Sequence, residues 1–170
     1  MKETNQHNTV SEPSGGRSSR ETARFRTWQW RLGNGLVTGL ARLGVGPIEL
    51  LTTTGRLTGR DHSVPVVPVD YDHRRWLVAP YGSVSWVHNA RVNPVVTLRY
   101  GTRRRDFVAT EVGPKEAAPV LKRYLEVANR ARPLFGASVD DPEEAFVVEA
   151  STHPVFALDV SDRLRTAEDR

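Results

Sequence analysis

The sequence VVTLRYGTRRRDFVATEV, residues 95–112, predicts two β-strands joined by a tight turn. Val95–Tyr100 and Arg105–Val112 are rich in β-branched and aromatic residues, which fit a pleated sheet. Gly101 and Thr102 lie between the two segments, and a two-residue connection that contains glycine is typical of a hairpin. A fold built mainly from β-strands is therefore predicted.

Further strands are predicted on both sides of this hairpin. They lie at residues 48–54, 64–69, 75–79, 146–149 and 155–160. Pro65 and Pro68 place the second of these segments at a sheet edge or a bulge, because proline has no N–H to donate to a sheet. Asp70–His73 is predicted to form a hairpin turn. About six short strands with hairpin links indicate a small β-barrel.

Helices accompany the predicted strands. A short helix is expected at Val84–Val92, bounded by Gly82-Ser83 and Asn93-Pro94. A second helix is expected between Pro114 and Arg130, and its apolar face consists of Val120, Leu121, Tyr124 and Val127. The predicted fold class is therefore α+β, a barrel with an N-terminal helix and a helix between strands.

The N-terminal part of the chain predicts a tail followed by a basic amphipathic helix. Residues 1–20 are polar without apolar periodicity, which is typical of disorder. Residues 21–46 have an apolar stripe at helical spacing, consisting of Phe25, Trp28, Leu32, Leu36, Leu40 and Leu43. This helix either docks on the domain or lies on an anionic membrane surface. Residues 47–160 are then the barrel domain, and residues 161–170 are a polar tail.

Charge is distributed unevenly along the chain. Residues 1–46 contain seven Lys or Arg and three Asp or Glu, and residues 56–105 contain nine Arg and three Asp. From Asp106 onward, eight basic residues face thirteen acidic ones. The basic centre favours an anionic ligand, and a solvated arginine-rich surface is the alternative. The polar N-terminus and the lack of long apolar runs predict a cytoplasmic protein, with peripheral attachment at the inner membrane face as a second interpretation.

Two loops are candidates for chemistry. In Thr52–His62, two glycines allow backbone N–H groups to turn toward a ligand, and hydroxyl and guanidinium groups complete a cradle for an oxyanion. A plain hairpin loop explains this segment equally well. In Ala79–Pro94, a strand ends in a Gly-Ser loop that opens a helix, an arrangement that presents free N–H groups to an acceptor.

Several catalytic and binding classes find no support in the sequence. The chain has no cysteine, so a disulfide, a thiolate zinc site and a cysteine nucleophile are excluded. Its five histidines are scattered without close metal-ligand spacing, so no metal site is predicted. No nucleic-acid-binding motif is present, and a nucleic-acid partner is not expected.

Taken together, three segments resemble the deazaflavin-dependent nitroreductase family. They are Gly55-Arg56-x-Thr58-Gly59, Val78-Ala79-x-x-Gly82, and Trp86-x-x-Asn89-Ala90-x-x-Asn93-Pro94. The resemblance runs from about Phe25 to Val160. It implies a split β-barrel that binds the deazaflavin coenzyme F420 and transfers a hydride from its reduced form to a nitroaromatic, a quinone or an activated alkene.

The resemblance also implies which residues form the site. Those expected to bind the cofactor are Thr54, Gly55, Arg56, Thr58, Gly59, Arg60, His62, Ala79, Pro80, Tyr81, Gly82, Ser83 and Trp86. The basic loop would hold the phosphate and acidic tail, and Ala79–Ser83 would lie against the ring with Trp86 behind it. Candidates for a proton donor are Tyr81, Ser83 and Tyr124, and Tyr124 is equally expected as a core aromatic.

This chain departs from the family pattern at several site positions. His62 stands where an arginine is common, and Arg60 is a candidate to replace it. Pro80 and Ser83 stand where a serine and a second glycine are common, and Pro80 removes a backbone donor. Because Gly82 lies in a loop, Gly82→Val is predicted to keep the fold and to block the ring.

Two other functional classes remain open on the sequence. The barrel of a related protein could bind FMN, another flavin or haem instead. The chain could also be a non-catalytic carrier of a ligand at a membrane surface.

Overall fold

One curled antiparallel sheet of seven strands organises residues 46–161, the part of the chain that the computed structural model describes. The strands are β1 (Glu49–Thr54), β2 (Asp61–Val66), β3 (Val69–Tyr71), β4 (Arg74–Val78), β5 (Val95–Tyr100), β6 (Arg103–Glu111) and β7 (Val155–Val160). Their order in the sheet is β2-β1-β5-β6-β7-β4-β3. The predictions for residues 1–20 and 21–45 and for the tail beyond Ser161 lie outside the described residues.

An ion pair shows that the sheet curls. Three strands separate β1 from β4 in the sheet order, yet Glu49 of β1 accepts a hydrogen bond from the guanidinium of Arg75 in β4. Burial raises the pKa of the Glu49 carboxyl, and the charge of Arg75 opposes this shift. The two ends of the sheet thus approach each other, and the predicted split β-barrel is confirmed.

The core has two parts because the inner strands are buried on both faces. In β4, Leu77 points into the barrel, whereas Trp76 and Val78 point toward the helices, as the period of two requires. In β7, Phe156 and Leu158 likewise face the barrel interior, and their neighbours face the helices. The apolar segment at 155–158 therefore marks a strand covered on both sides.

Three α-helices and a 3₁₀-helix complete the described fold. They are α1 (Ser85–Val92), α2 (Pro114–Val127), the 3₁₀-helix Asn129–Leu134 and α3 (Glu143–Glu149). In α2, the predicted apolar face is buried at Val120, Leu121 and Tyr124, but Val127 is exposed. Among the described helices, none is long and apolar enough to cross a membrane.

The prediction of a strand at Phe146–Glu149 is wrong, because these residues form most of α3. Glu143 and Glu144 occupy the first turn of this helix, where acidic side chains are favourable. Phe146 is fully buried in the helical part of the core. Packing against α2 therefore overrides the β propensity of Phe146-Val147-Val148.

The strand predicted at 64–69 is divided into two. Val67 and Pro68 separate β2 from β3, and β2 lies at a sheet edge as its proline indicated. Of the turn predicted at Asp70–His73, only Asp72 and His73 form the turn, with positive φ angles of 48° and 56°. The barrel therefore has seven strands where about six were predicted.

Candidate active site

The two candidate loops lie at the same end of the barrel. The register pairs Thr53 with Val96 and Val78 with Val155, so the ends of β1 and β4 are neighbours of the starts of β5 and β7. Glu111, at the end of β6, pairs with Phe156 at the same end. The fold thus brings together segments that are separated in the sequence.

The first of these loops, Gly55–Arg60, is called here the arginine loop. The Gly55 N–H donates to the Arg60 carbonyl oxygen at 2.8 Å, and the Gly59 N–H donates to the Gly55 carbonyl oxygen at 2.8 Å. The loop itself uses the N–H groups of both glycines, so these two groups are not available to a ligand. Its exposed donors are instead the side chains of Arg56, Thr58 and Arg60.

Glycine is required at Gly55 by close packing. A Cβ atom there would lie 2.9 Å from the Arg60 carbonyl oxygen and 3.0 Å from the His62 ring. His62 itself belongs to β2, where it pairs with Thr53. Thr54 donates to the Asp61 carboxylate at 3.5 Å. Thr54 and His62 therefore stand at the base of the arginine loop.

Asn89 of α1 anchors the arginine loop to the barrel. Its side-chain oxygen accepts hydrogen bonds from the backbone N–H and from the guanidinium of Arg56, both at 3.2 Å. Its amide donates to the Thr53 hydroxyl at 3.2 Å. Asn89 is buried, so a single side chain sets the position of the loop relative to α1.

The second loop, Ala79–Val84, is called here the Gly82 loop. Its own hydrogen bonds run from the Gly82 N–H to the Ala79 carbonyl oxygen at 3.0 Å and from the Val84 N–H to the Gly82 carbonyl oxygen at 2.8 Å. The Ala79 N–H donates to the Pro154 carbonyl oxygen at 2.9 Å, and Pro80 has no N–H. Of this loop's N–H groups, those of Tyr81 and Ser83 have no hydrogen-bond partner within residues 46–161.

Gly82 adopts a φ of +76°, a conformation that side chains with a Cβ rarely adopt. A Cβ atom there would also lie 3.3 Å from the Thr152 carbonyl oxygen. Both features favour glycine here, so Gly82→Val is expected to lower the stability of the fold, which revises the expectation from the sequence. The lack of a side chain also leaves room for close approach by a flat ligand.

The aromatic residues of the site have distinct surroundings. Trp86 is 7% exposed, and its ring lies 5.4 Å from that of Phe156, centroid to centroid. It packs in the barrel core, and its place behind the cofactor ring stays a prediction. Tyr81 is 59% exposed, and its side chain is open to a ligand.

Tyr124 is a core aromatic close to this loop. It is buried in the helical part of the core, and its ring lies 6.2 Å from that of Phe135. Burial, and to a smaller extent the phenol of Tyr81, raises the pKa of Tyr124. Tyr124 is therefore a weaker acid than an exposed tyrosine.

Ser83 contacts an ion pair that sequence reasoning missed. The Arg91 guanidinium donates to both oxygens of the Glu111 carboxylate at 2.6 Å, and its third nitrogen donates to the Ser83 hydroxyl oxygen at 3.3 Å. The hydrogen bonds with Glu111 raise the pKa of Arg91. Arg91 lies within the recognised Trp86–Pro94 motif, but nothing in the sequence pairs it with Glu111.

A buried histidine supports the other side of the Gly82 loop. His153 contacts the Glu149 carboxylate at 3.2 Å through Nε2, and its ring stacks on Phe135 at 4.0 Å. Glu149 also accepts hydrogen bonds from the N–H groups of Gly136 and Ala137. The segment after α3 is thus held beside Ala79 and Gly82. Within residues 46–161, no group of three His, Cys, Asp or Glu side chains could hold a metal ion.

Comparison with known proteins decides the family. The family model described as F420H2-dependent quinone reductase matches residues 22–140. This chain belongs to that family. The resemblance to deazaflavin-dependent enzymes is confirmed, and the protein is an F420-dependent oxidoreductase.

The chain is also similar to several solved structures. An F420-H2 dependent reductase is 25% identical over 66% of this chain and 94% of its own, with a TM-score of 0.47. A domain-swapped dimer is 23% identical over 82% of this chain and 99% of its own, with a TM-score of 0.51. A protein provisionally assigned as a pyridoxamine 5′-phosphate oxidase from Listeria innocua is 11% identical over 74% of this chain and 94% of its own, with a TM-score of 0.47.

The residues of the arginine loop and the Gly82 loop fit coenzyme F420. The anionic part of the cofactor requires cationic and hydroxyl donors, which Arg56, Thr58 and Arg60 on the exposed arginine loop would supply. A flat ring requires close approach by the backbone and available donors, which Gly82 and the N–H groups of Tyr81 and Ser83, unpaired within residues 46–161, would supply. The family membership favours F420 over FMN, another flavin or haem as the cofactor.

Proposed function

We propose that this F420-dependent oxidoreductase reduces a quinone, and that nitroaromatics and activated alkenes are further acceptors. The observation that carries this proposal is the Tyr81 ring, which is 59% exposed on the Gly82 loop. An exposed aromatic ring beside a cofactor-binding loop can stack on a flat, conjugated acceptor. The family description supports a quinone as the first acceptor to test.

In this proposal the protein supplies position and electrostatics, and the reduced cofactor supplies the hydride. The arginine loop binds the anionic part of the cofactor, and the Gly82 loop holds its ring at the end of the barrel. The acceptor gains one hydride and one proton, which convert a quinone to a quinol. The proton comes from water or from the hydroxyl of Tyr81 or Ser83, both of which are exposed. Tyr124 is buried and its pKa is raised by burial, so it is a poorer proton donor than an exposed phenol.

The acceptor class is tested with purified protein and reduced F420. Oxidation of the cofactor is followed by its fluorescence after addition of a short-chain quinone, a nitroaromatic or an activated enone. Turnover with the quinone is expected, and reduced FMN serves as the cofactor control. Turnover of nitroaromatics without quinone reduction would contradict the choice of acceptor but not the cofactor.

The arginine loop is expected to contribute to cofactor affinity. Arg60→Ala removes an exposed guanidinium and should weaken F420 binding by about 1.5–3 kcal/mol. Arg56→Ala should do the same and also loosen the loop, since Arg56 donates to Asn89. Fluorescence titration at rising salt measures both effects, because exposed ion pairs are screened. Arg130→Ala, an exposed arginine in the 3₁₀-helix, is the matched control. Unchanged affinity in both loop variants would show that the loop is only a hairpin connection.

We further propose that the protein acts in the cytoplasm and attaches to the inner membrane face through residues 21–46. The charge excess of the N-terminal part supports this proposal. The described part of the chain adds a second basic surface, at the β5–β6 turn, where Arg99, Arg103, Arg104 and Arg105 are all exposed. Arg99 and Arg104 lie directly opposite each other, and such like-charged pairs destabilise a hairpin unless an anion lies nearby. This turn lies at the end of the sheet opposite the candidate site, so that a membrane contact there would leave the site open.

Vesicle flotation tests membrane attachment. Anionic vesicles are expected to bind the protein and neutral vesicles to bind much less, because each Lys or Arg near such a surface contributes about 1 kcal/mol. Arg103→Glu with Arg104→Glu should reduce binding more than tenfold. Lys115→Glu with Arg130→Glu changes the net charge equally at another surface and should have a smaller effect. Equal binding to both kinds of vesicle would remove the electrostatic basis of the proposal.

A further inference from the structure

The contact between Arg91 and Ser83 determines where the serine proton points. A guanidinium has N–H donors and no acceptor, so in this contact the Ser83 oxygen must accept. The O–H hydrogen of Ser83 is therefore directed away from Arg91. Ser83 is exposed on the Gly82 loop, so this hydrogen is free to bond to a ligand.

The position of the guanidinium is set by the fold rather than by Ser83. Arg91 lies on α1, and Glu111 lies at the end of β6. Two parallel hydrogen bonds of 2.6 Å hold the guanidinium plane in one orientation. The remaining nitrogen then lies within hydrogen-bond distance of Ser83, and this contact sets the orientation of the Ser83 hydroxyl.

The Gly82 loop has few other donors for a ligand. Pro80 has no N–H, and the N–H groups of Ala79, Gly82 and Val84 are already bonded to backbone oxygens. A hydroxyl that is oriented outward therefore adds one donor to the two N–H groups of this loop that have no partner within residues 46–161. An oriented donor loses less rotational freedom when it binds than a free one does.

We propose that Arg91 and Glu111 are positioning residues that hold the Ser83 hydroxyl as a hydrogen-bond donor to the F420 ring. The inference rests on the proposed location of the ring against the Gly82 loop. Arg91 then affects cofactor binding through Ser83 and not through its own charge.

The test is a double-mutant cycle on F420 affinity, measured by fluorescence titration of the oxidised cofactor without an acceptor. Ser83→Ala and Arg91→Met are each expected to raise the Kd about fivefold, the effect of one lost hydrogen bond. The double variant should bind no more weakly than Arg91→Met alone. Arg91→Lys keeps the charge but cannot form the two parallel bonds, so it should behave like Arg91→Met.

Thermal unfolding of each variant separates positioning from stability. The Arg91 variants should bind weakly at temperatures well below their Tm. Arg104→Met, at the far end of the sheet, is the control for loss of an exposed arginine and should leave the Kd unchanged. Equal weakening by Arg104→Met, or full affinity in Arg91→Lys, would overturn the inference in favour of a general charge effect.

The remaining outcomes separate this inference from the proposed site. If Arg91→Met weakens binding by the same factor when Ser83 is already alanine, Arg91 acts on the ligand directly and the inference fails. If Ser83→Ala binds normally while Gly82 variants lose the cofactor, the site is correct and only the role of Ser83 is wrong. If the Gly82 variants also bind normally, the ring lies elsewhere and both fail.

Discussion

Replacing Gly82 by valine is expected to abolish F420 binding and to lower the free energy of unfolding by about 2–3 kcal/mol. The residue has a φ of +76°, which is especially unfavourable for a β-branched side chain. Its Cβ would also lie 3.3 Å from the Thr152 carbonyl oxygen, which belongs to the segment after α3. Chemical denaturation measures the stability change, and fluorescence titration measures cofactor binding.

Two controls isolate the cause of this effect. Gly113→Val places the same side chain at a glycine with a φ of −74° and no neighbouring atom within 4 Å, so it should cost less than about 1 kcal/mol. Gly82→Asn should cost less than Gly82→Val, because asparagine tolerates positive φ. A Gly82→Val variant as stable as the wild type would show that this turn does not require glycine. A folded variant that still binds F420 would place the ring elsewhere.

Replacing Trp86 by alanine is expected to cost about 3–5 kcal/mol of stability, the usual range for a large buried aromatic residue. Trp86 is the part of α1 that packs against Phe156 inside the barrel. The same helix carries Asn89 and Arg91, which hold the arginine loop and Ser83. We therefore expect F420 affinity to fall together with stability, because both loops depend on the position of α1.

Trp86→Phe is the matched variant, since it keeps an aromatic ring in the core. It should retain more than half of the stability that Trp86→Ala loses, and it should bind F420 more tightly than the alanine variant. Denaturant unfolding and cofactor titration on the same samples compare the two quantities. Normal affinity in a strongly destabilised Trp86→Ala protein would contradict the coupling between α1 and the loops.

The β architecture was predictable because its signals are local. The two-residue turn at Gly101 and Thr102, the proline of β2 and the glycine-bounded helix α1 were each recognised from their own residues. The strand predicted at 146–149 was wrong for the opposite reason. Phe146-Val147-Val148 has β propensity, but a helix is formed there because Phe146 is buried in the core beside α2.

The site was predictable only as two separate loops. Their glycines, arginines and aromatic residues were recognised by resemblance, but the direction of each N–H group was not. Gly55 and Gly59 bond within their own loop, and this depends on backbone angles that the sequence does not specify. Asn89 lay inside a recognised motif, yet its partner Arg56 is 33 residues away along the chain.

By itself, the sequence predicted a small barrel with helices, because strand patterning and turn residues are properties of short segments. Its motifs resembled a deazaflavin-dependent family, and that resemblance implied the split barrel and the cofactor. Only the tertiary structure decided which groups act together. The Arg91–Glu111 pair and the contact with Ser83 join a helix, a strand and a loop that meet only when the sheet has curled. Likewise, the Thr152 oxygen would lie 3.3 Å from a Cβ atom at position 82, which adds to the strain of the positive φ there. Such contacts join residues that are far apart in the chain, and a sequence pattern does not show which distant residues pack together.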